Sequence, residues 1–464
     1  MKGFGDIIER EQGLRRGLGA RQLTMIAIGG AIGTGLFLGS GLAISLAGPA
    51  VLLSYAVGAL IAFLLMGCLA EMSIAHPTPG SFGAYAEYYI GPLAGFLVRY
   101  AYWTCVVLAV GTEVTAIAVY MRFWFPQVPG WIWIVAFSAV LVQVNAVSVN
   151  LFGGVEYWLS SIKVAAIVAF LVLASYLLLH PPAAHGAGEL SPGFHHYTAH
   201  GGFLPKGVWG MWMAVIVAIF SYLSIEMIAV AAAESVHPEV AVARAFRSTV
   251  LRLVLFYLLT LALMLALVPW TTLGSAESPF VQVMRALHIP AAAAVMNFVI
   301  LVAALSAMNS QLYITTRMLF SLARAGDAPR QLGVLTPAGV PRNALLASTA
   351  GIALATLLTV ISPDRAFGLM LAISVFGALF TWMMIFVTYV FFRRARSRDP
   401  VASRNAPAYS TPTAAWLGAA LIAAILLSTP FTQAFRLTLL FGVPFLLILV
   451  LAHRLRRARA PKAA

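Results

Sequence analysis

Apolar residues run along this chain in long blocks separated by short polar segments. Twelve blocks stand out, at about 21–47, 50–75, 93–120, 131–150, 156–179, 207–233, 248–269, 291–322, 343–361, 367–392, 414–430 and 435–453. Each falls near the ~20 residues that an α-helix needs to cross a bilayer. The pattern predicts an all-α polytopic membrane protein. Two blocks are interrupted. In the first, Ile28-Gly29-Gly30-Ala31-Ile32-Gly33-Thr34-Gly35-Leu36-Phe37 sets four glycines among apolar flanks. Glycine is a poor helix former. A break there frees N–H and C=O groups that hydrocarbon cannot satisfy, so it must be buried or line a polar cavity. The plainer reading, a small-residue face for helix packing, explains Gly29 with Gly33 but not the added Thr34 and Gly35. The sixth block repeats the oddity with Phe220-Ser221-Tyr222-Leu223-Ser224-Ile225-Glu226. Blocks one and six each open a group of five. Paired interruptions in corresponding positions of two halves point to a transporter site near the bilayer midplane.

Composition agrees: 61% of residues are hydrophobic and 9% charged, against ~25% charged in soluble domains. The formal charge of +14 does not call for nucleic acid, because the cations sit in short loops and at the ends. Twenty-three of the 29 Lys and Arg fall in segments that share one side if both termini are cytoplasmic. The bias predicts N-in, C-in topology and an even span number. No removable signal peptide is expected, since Met1 to Asp6 lacks an apolar core. The layout divides into a cytoplasmic tail (1–20), a ten-helix transport core (21–392, with halves at about 21–179 and 207–392), a basic linker (393–413), two further helices (414–453) and a second tail (454–464). The loop from His180 to Lys206 holds His180, His185, His195, His196 and His200. Without ordered ligand spacing, incidental histidines in a polar loop are the better reading than a zinc or copper site, and no metal or cofactor is expected. Cys68 and Cys105 lie in apolar spans and are expected to stay unpaired.

The chain resembles the amino acid–polyamine–organocation superfamily, and within it the bacterial amino-acid permeases. The resemblance rests on Ile28 to Phe37, Glu71-Met72, Tyr102-Trp103, Phe123 to Pro126, Phe152-Gly153-Gly154-Val155-Glu156-Tyr157-Trp158, Ile162-Lys163, Gly201 to Phe203, Ala231 to Glu234, Leu305 to Ala307, Asn309-Ser310, Ser321 to Ala323 and Val340 to Asn343, in that order. It implies two inverted five-helix repeats plus two peripheral helices, and proton-coupled import of amino acids.

An amino acid presents a carboxylate and an ammonium. The half-helix after the first break offers free N–H groups and a positive dipole end, so Gly33, Thr34 and Gly35 are expected to hold the carboxylate. Carbonyls in the loosened turns at Ala31 and from Phe220 through Ser221 to Leu223 are expected to take the ammonium, with Ser224 in the same site adding bulk and a hydroxyl. Such backbone recognition ignores the side chain, so specificity falls to the walls: Val106 and Val110 on span three, Phe220, Met308 on span eight, and Ser374, Phe376 and Gly377 on span ten. Ordinary packing accounts for each of these singly. No acid or Arg is evidently placed for a charged side chain, which favours neutral substrates. Many relatives have Gly where Ser224 stands, so substrate preference does not transfer directly.

Charges within spans are functional by default. Lys163, early in span five, either snorkels to the interface or acts as a proton switch, because burial in a low dielectric disfavours a charge. In some relatives a lysine on this span sits where sodium-coupled cousins hold an ion. A protonated Lys163 would bridge span-one carbonyls to Ser306 or Asn309 of span eight. Glu113 and Glu226 are the other proton candidates, with Glu226 better placed to pin the broken helix. Glu71 and Glu234 are expected to pair with basic loops such as that holding Arg244 and Arg247, and to act in gating. The leading expectation is a proton–amino acid symporter in the cytoplasmic membrane, its partners being amino acid, proton and lipid. An exchanger, or an importer of basic or aromatic amino acids, remains open. A non-transporting sensor would carry a longer tail, a channel a polar stripe, and an enzyme a catalytic motif.

Overall fold

The computed structural model describes residues 4–14, 20–181, 192–231, 234, 238–274, 277–287, 290–397 and 409–459, and among them there is no strand. The helices are α1 (Phe4–Arg10), α2 (Ala20–Ala31), α3 (Ser40–Ala47), α4 (Val51–Ala75), α5 (Ser81–Tyr89), α6 (Pro92–Arg122), α7 (Gly130–Val147), α8 (Val149–Leu179), α9 (Gly207–Tyr222) and α10 (Met227–Ala231). They continue with α11 (Pro238–Leu267), α12 (Pro279–Ala286), α13 (Pro290–Arg324), α14 (Arg342–Ser348), α15 (Ala350–Ile361), α16 (Pro363–Arg396), α17 (Pro412–Ser428) and α18 (Arg436–Arg459).

Among the described residues, ten helical runs are long and apolar enough to cross a membrane. One of them, Ile28–Ala75, covers the first two expected spans. They part at Gly48–Pro49, where Gly48 takes a φ of +61° that suits glycine. Leu251–Leu267, in the place of the seventh span, is apolar but shorter.

The long helices sort by burial. The apolar window of Gly207–Ala231 is wholly buried, whereas α7 and α8 are 22% buried in theirs. Large apolar side chains such as Trp158 and Leu179 point outward from α8, as helices at a lipid boundary require. At the centre α6 packs along α13 and α16, and α8 along α13. Beside them α4 packs on α9 and α11, and α3 on α9. The two groups meet where α2 lies against α8, α11 and α13, so the first broken helix sits at their seam.

Three boundaries differ from expectation. Helix α8 starts at Val149 rather than 156, because Ser148 caps it by accepting the Leu151 N–H (3.2 Å). Helix α16 runs into the expected basic linker as far as Arg396, because Arg393 and Arg396 turn to the Glu71 carboxylate (2.8 and 3.1 Å). A short helix, α1, lies in the expected N-terminal tail. Both described chain ends lie at one end of the bundle: Arg10 pairs with Glu87, and Arg456 with Asp327.

Candidate functional site

Helix α2 ends at Ala31, two non-helical residues follow, and a wide turn over Gly35–Gly39 leads into α3. The glycines here answer to contacts. A Cβ on Gly35 would stand 2.7 Å from the Ser221 Cα, and one on Gly33 2.7 Å from the Ala307 Cβ. On Gly30 it would meet Met227 Sδ at 2.9 Å, and on Gly29 it would collide with the Glu156 carboxylate. The first break is therefore pressed directly against the second.

In the second break α9 ends at Tyr222, and four residues pass before α10. Ser224 holds a φ of +79°, a left-handed conformation unfavourable to any side chain. Glu226 binds the turn together: it accepts from the Ser224 N–H (3.1 Å), the Tyr102 hydroxyl (2.7 Å) and the Trp382 indole (3.2 Å).

The two breaks are bridged by Tyr257 of α11. Its hydroxyl lies 2.8 Å from both the Ala31 and the Ser221 carbonyl oxygens. The Tyr55 hydroxyl is 2.9 Å from the Ser221 hydroxyl. Phe220 and Leu223 are buried beside them, and the Phe220 carbonyl accepts from the Leu223 N–H (3.2 Å).

Lys163 is fully buried. Its ammonium donates to the Gly29 carbonyl and to the Ile32 carbonyl (2.8 Å), one on each side of the end of α2. Ser306 and Asn309, expected beside that ammonium, turn instead to Glu156. Asn309 Nδ2 donates to it at 2.9 Å, Ser160 Oγ at 2.8 Å, and Ser306 Oγ also donates to it. The physical reason is donor matching. An ammonium has no acceptor to offer, whereas a carboxylate accepts several hydrogen bonds. Asn145 of α7 extends the network to Asn309 (2.8 Å). Glu113 of α6 lies at the other edge of the break. It accepts weakly from the Thr34 N–H (3.3 Å) and from Gln311 (3.4 Å). An expected donor for the substrate carboxylate is thus engaged by a protein carboxylate.

Around the breaks, Thr34 Oγ1, Ser224 Oγ, Ser310 Oγ and Gln311 Oε1 are buried with no hydrogen-bond partner. Such atoms are costly, and here they converge. Ser224 and Ser310 both face Gly30, and Gln311 reaches Thr34 through Glu113.

The expected walls divide. Val106, Val110 and Met308 are buried in the main core. Phe376 packs its ring on Gly442 and, with Cys105 and Phe445, lines a cavity of about 180 Å³ between α6, α16 and α18. It faces the last helix because Gly442 leaves room there. The Ser374 hydroxyl donates back to the Leu371 carbonyl (3.0 Å), and Gly377 packs on Cys105 and the Ala101 carbonyl. Glu71 pairs with Arg393 and Arg396, and Glu234 with Arg317 (2.8 Å); the side chains of Arg244 and Arg247 lie outside the described residues. Cys68 and Cys105 are buried free thiols. His185 lies outside the described residues, among which no group of three or more His, Cys, Asp or Glu is placed to hold a metal.

Four contributors escaped the sequence reading. Glu156 precedes Lys163 by seven residues, which puts both on one helix face; that spacing was the available signal. Tyr257 was a lone polar tip in an apolar run. Ser310 and Gln311 were visible only as polar neighbours of Asn309.

Comparison with known proteins agrees with this architecture. The family model "Amino acid permease" matches residues 22–461. An uncharacterized amino acid permease of Bacillus subtilis, YtnA, is 36% identical over 96% of this chain and 96% of its own. The aromatic amino acid transport protein AroP of Escherichia coli K12 is 37% identical over 97% of this chain and 98% of its own. Among solved structures, a manganese transporter from Eremococcus coleocola superposes with a TM-score of 0.58 at 14% identity, covering 93% of this chain and 92% of that one. A nucleobase-cation-symport-1 family transporter in a closed conformation gives 0.55 at 18% identity, covering 97% and 96%. These two support the fold alone. The relatives are permeases rather than enzymes, and the protein is a multi-pass membrane protein belonging to the amino acid permease family.

Proposed function

We propose that this permease imports neutral amino acids together with protons across the cytoplasmic membrane, by alternating access. In this reading twelve spans form two inverted five-helix repeats (about 21–179 and 207–392) and two peripheral helices, with both termini cytoplasmic. The observation that carries it is the placement of Lys163 across the end of α2, beside a cluster of unpartnered buried polar atoms. The substrate carboxylate takes the Thr34 and Gly35 N–H groups at the start of the half-helix. The ammonium takes the carbonyls of Ala31 and Ser221, which Tyr257 already draws together. Glu113 competes for the Thr34 N–H. A proton on Glu113 removes that competing charge, so proton and substrate bind together. Charged Lys163 holds the inner end of α2 to α8; the neutral amine holds it less firmly, and α2 swings free.

Aromatic amino acids are the first neutral class to try, because the aromatic transporters of enteric bacteria are 37–39% identical to this chain. The test is uptake of twenty labelled amino acids into proteoliposomes, with and without an inward proton gradient. Gradient-driven accumulation of neutral substrates supports the proposal. Uptake that requires internal amino acid and ignores the gradient makes the protein an exchanger.

A further inference from the structure

At the end of the bundle that carries both termini, a buried carboxylate has no part in the mechanism above. Glu11 follows α1 and its side chain is completely enclosed. It accepts from the Thr78 hydroxyl (2.6 Å), the Gly80 N–H (2.7 Å), the Ser321 hydroxyl (2.6 Å) and the Arg99 guanidinium (3.3 Å). Gly80 is needed there, since a Cβ would stand 2.5 Å from both carboxylate oxygens. Flanking contacts seat the same segment. Arg10 makes a two-pronged pair with Glu87 (3.0 and 2.8 Å), which Arg99 also engages at 2.7 Å. Phe4 stacks on His76 with ring centroids 4.1 Å apart.

We propose that Glu11 is a latch: the socket of Thr78, Gly80, Arg99 and Ser321 is a carboxylate site that the chain fills with its own side chain, tying the two helix groups together at the terminus-bearing face. Thr78 and Gly80 lie in the turn between α4, which packs on α9 and α11, and α5, which packs on α6. Arg99 and Ser321 belong to α6 and α13, the central pair of the other group. The groups cannot separate at this face while all four donors hold the carboxylate. Opening toward the side of the termini therefore requires Glu11 to leave, and its return closes that face. The inference rests on the alternating-access reading, but not on proton coupling or on the substrate.

The test begins with Ser310→Cys as a reporter, in a background with Cys68→Ala and Cys105→Ala. Ser310 lies buried against Gly30, inward of the breaks. Adding Glu11→Ala is expected to raise the rate of maleimide labelling at that cysteine about tenfold, the loss of one or more charge-assisted hydrogen bonds. Arg99 keeps Glu87 in this variant, so folding is expected to survive. The readout needs no transport, so it decides the latch even if every uptake assay fails. An unchanged labelling rate overturns the proposal. The second arm is Glu11→Cys with Ser321→Cys, joined by a short bis-methanethiosulfonate reagent. Cross-linking is expected to stop both uptake and exchange, with recovery on reduction. A pair that does not cross-link, or a cross-linked protein that still exchanges, overturns the latch as well. Loss of gradient-driven uptake before cross-linking, with exchange intact, counts against proton coupling and leaves the exchange readout for the latch in place.

Discussion

Ser224 shows how a single position departs from the backbone it occupies. A side chain at φ +79° costs roughly 1–2 kcal/mol, and its hydroxyl has no partner. Ser224→Gly should stabilise the protein by about 1 kcal/mol after the entropy cost of glycine, seen as a higher melting temperature in detergent. A lower one would mean that the hydroxyl is held by something that outweighs the strain. Lys163 is the second position at this scale. Lys163→Met keeps the unbranched apolar stem but removes the donors to Gly29 and Ile32. Gradient-driven accumulation should disappear while exchange persists, and undiminished uphill uptake would remove Lys163 from the coupling. That this lysine needs buried partners was legible in the sequence, because a charge in an apolar span calls for them. That Ser306 and Asn309 would turn to Glu156 instead was not legible. Competition among Lys163, Glu156, Ser306 and Asn309 is settled by which donor reaches which acceptor, and that depends on how three helices face one another.

At the scale of elements, both helix interruptions were readable because they violate helix propensity inside apolar runs. Helix α1 and the short helix α5 were not, since seven and nine residues carry too little periodic pattern. His76 lies between them, stacked on Phe4 and 2.6 Å from the Tyr89 hydroxyl. Burial pushes its imidazole from 6.5 down to about 4, and Phe4 covers its ring. A group whose folded pKa is depressed contributes stability that is full above its unfolded value and is lost as pH falls through the folded one. Docking of α1 should therefore weaken as pH drops from about 6.5 to about 4. A fluorophore on the N-terminal segment would report the release, and His76→Phe should flatten its pH dependence across that window. The same slope in the variant would assign the effect to another group.

For the whole molecule, three buried carboxylates fasten the terminus-bearing end: Glu11 to Arg99, Glu71 to Arg393 and Arg396, and Glu234 to Arg317. The last pair is buried on both sides, with each side chain at most 3% exposed and Tyr313 donating to the same carboxylate at 2.8 Å. Removing one partner of a buried pair costs roughly 3–5 kcal/mol, because the other charge is left without compensation. Glu234→Gln should lower the melting temperature markedly. Glu234→Gln combined with Arg317→Met should recover much of it, and a double variant no more stable than the single would show that the pair is not what stabilises this end.

The sequence alone determined the membrane class, the order of the spans, the two breaks and the intramembrane charges. Each of these follows from local quantities: run length, propensity, and the cost of charge in hydrocarbon. The tertiary structure alone decided that the breaks touch through Gly35 and Ser221, that Tyr257 bridges them, that Glu156 rather than Lys163 gathers Ser306 and Asn309, and that Glu11 is buried beneath α6 and α13. These contacts join residues tens to hundreds of positions apart. Helix period fixes which face a side chain occupies, but only packing fixes which face lies opposite.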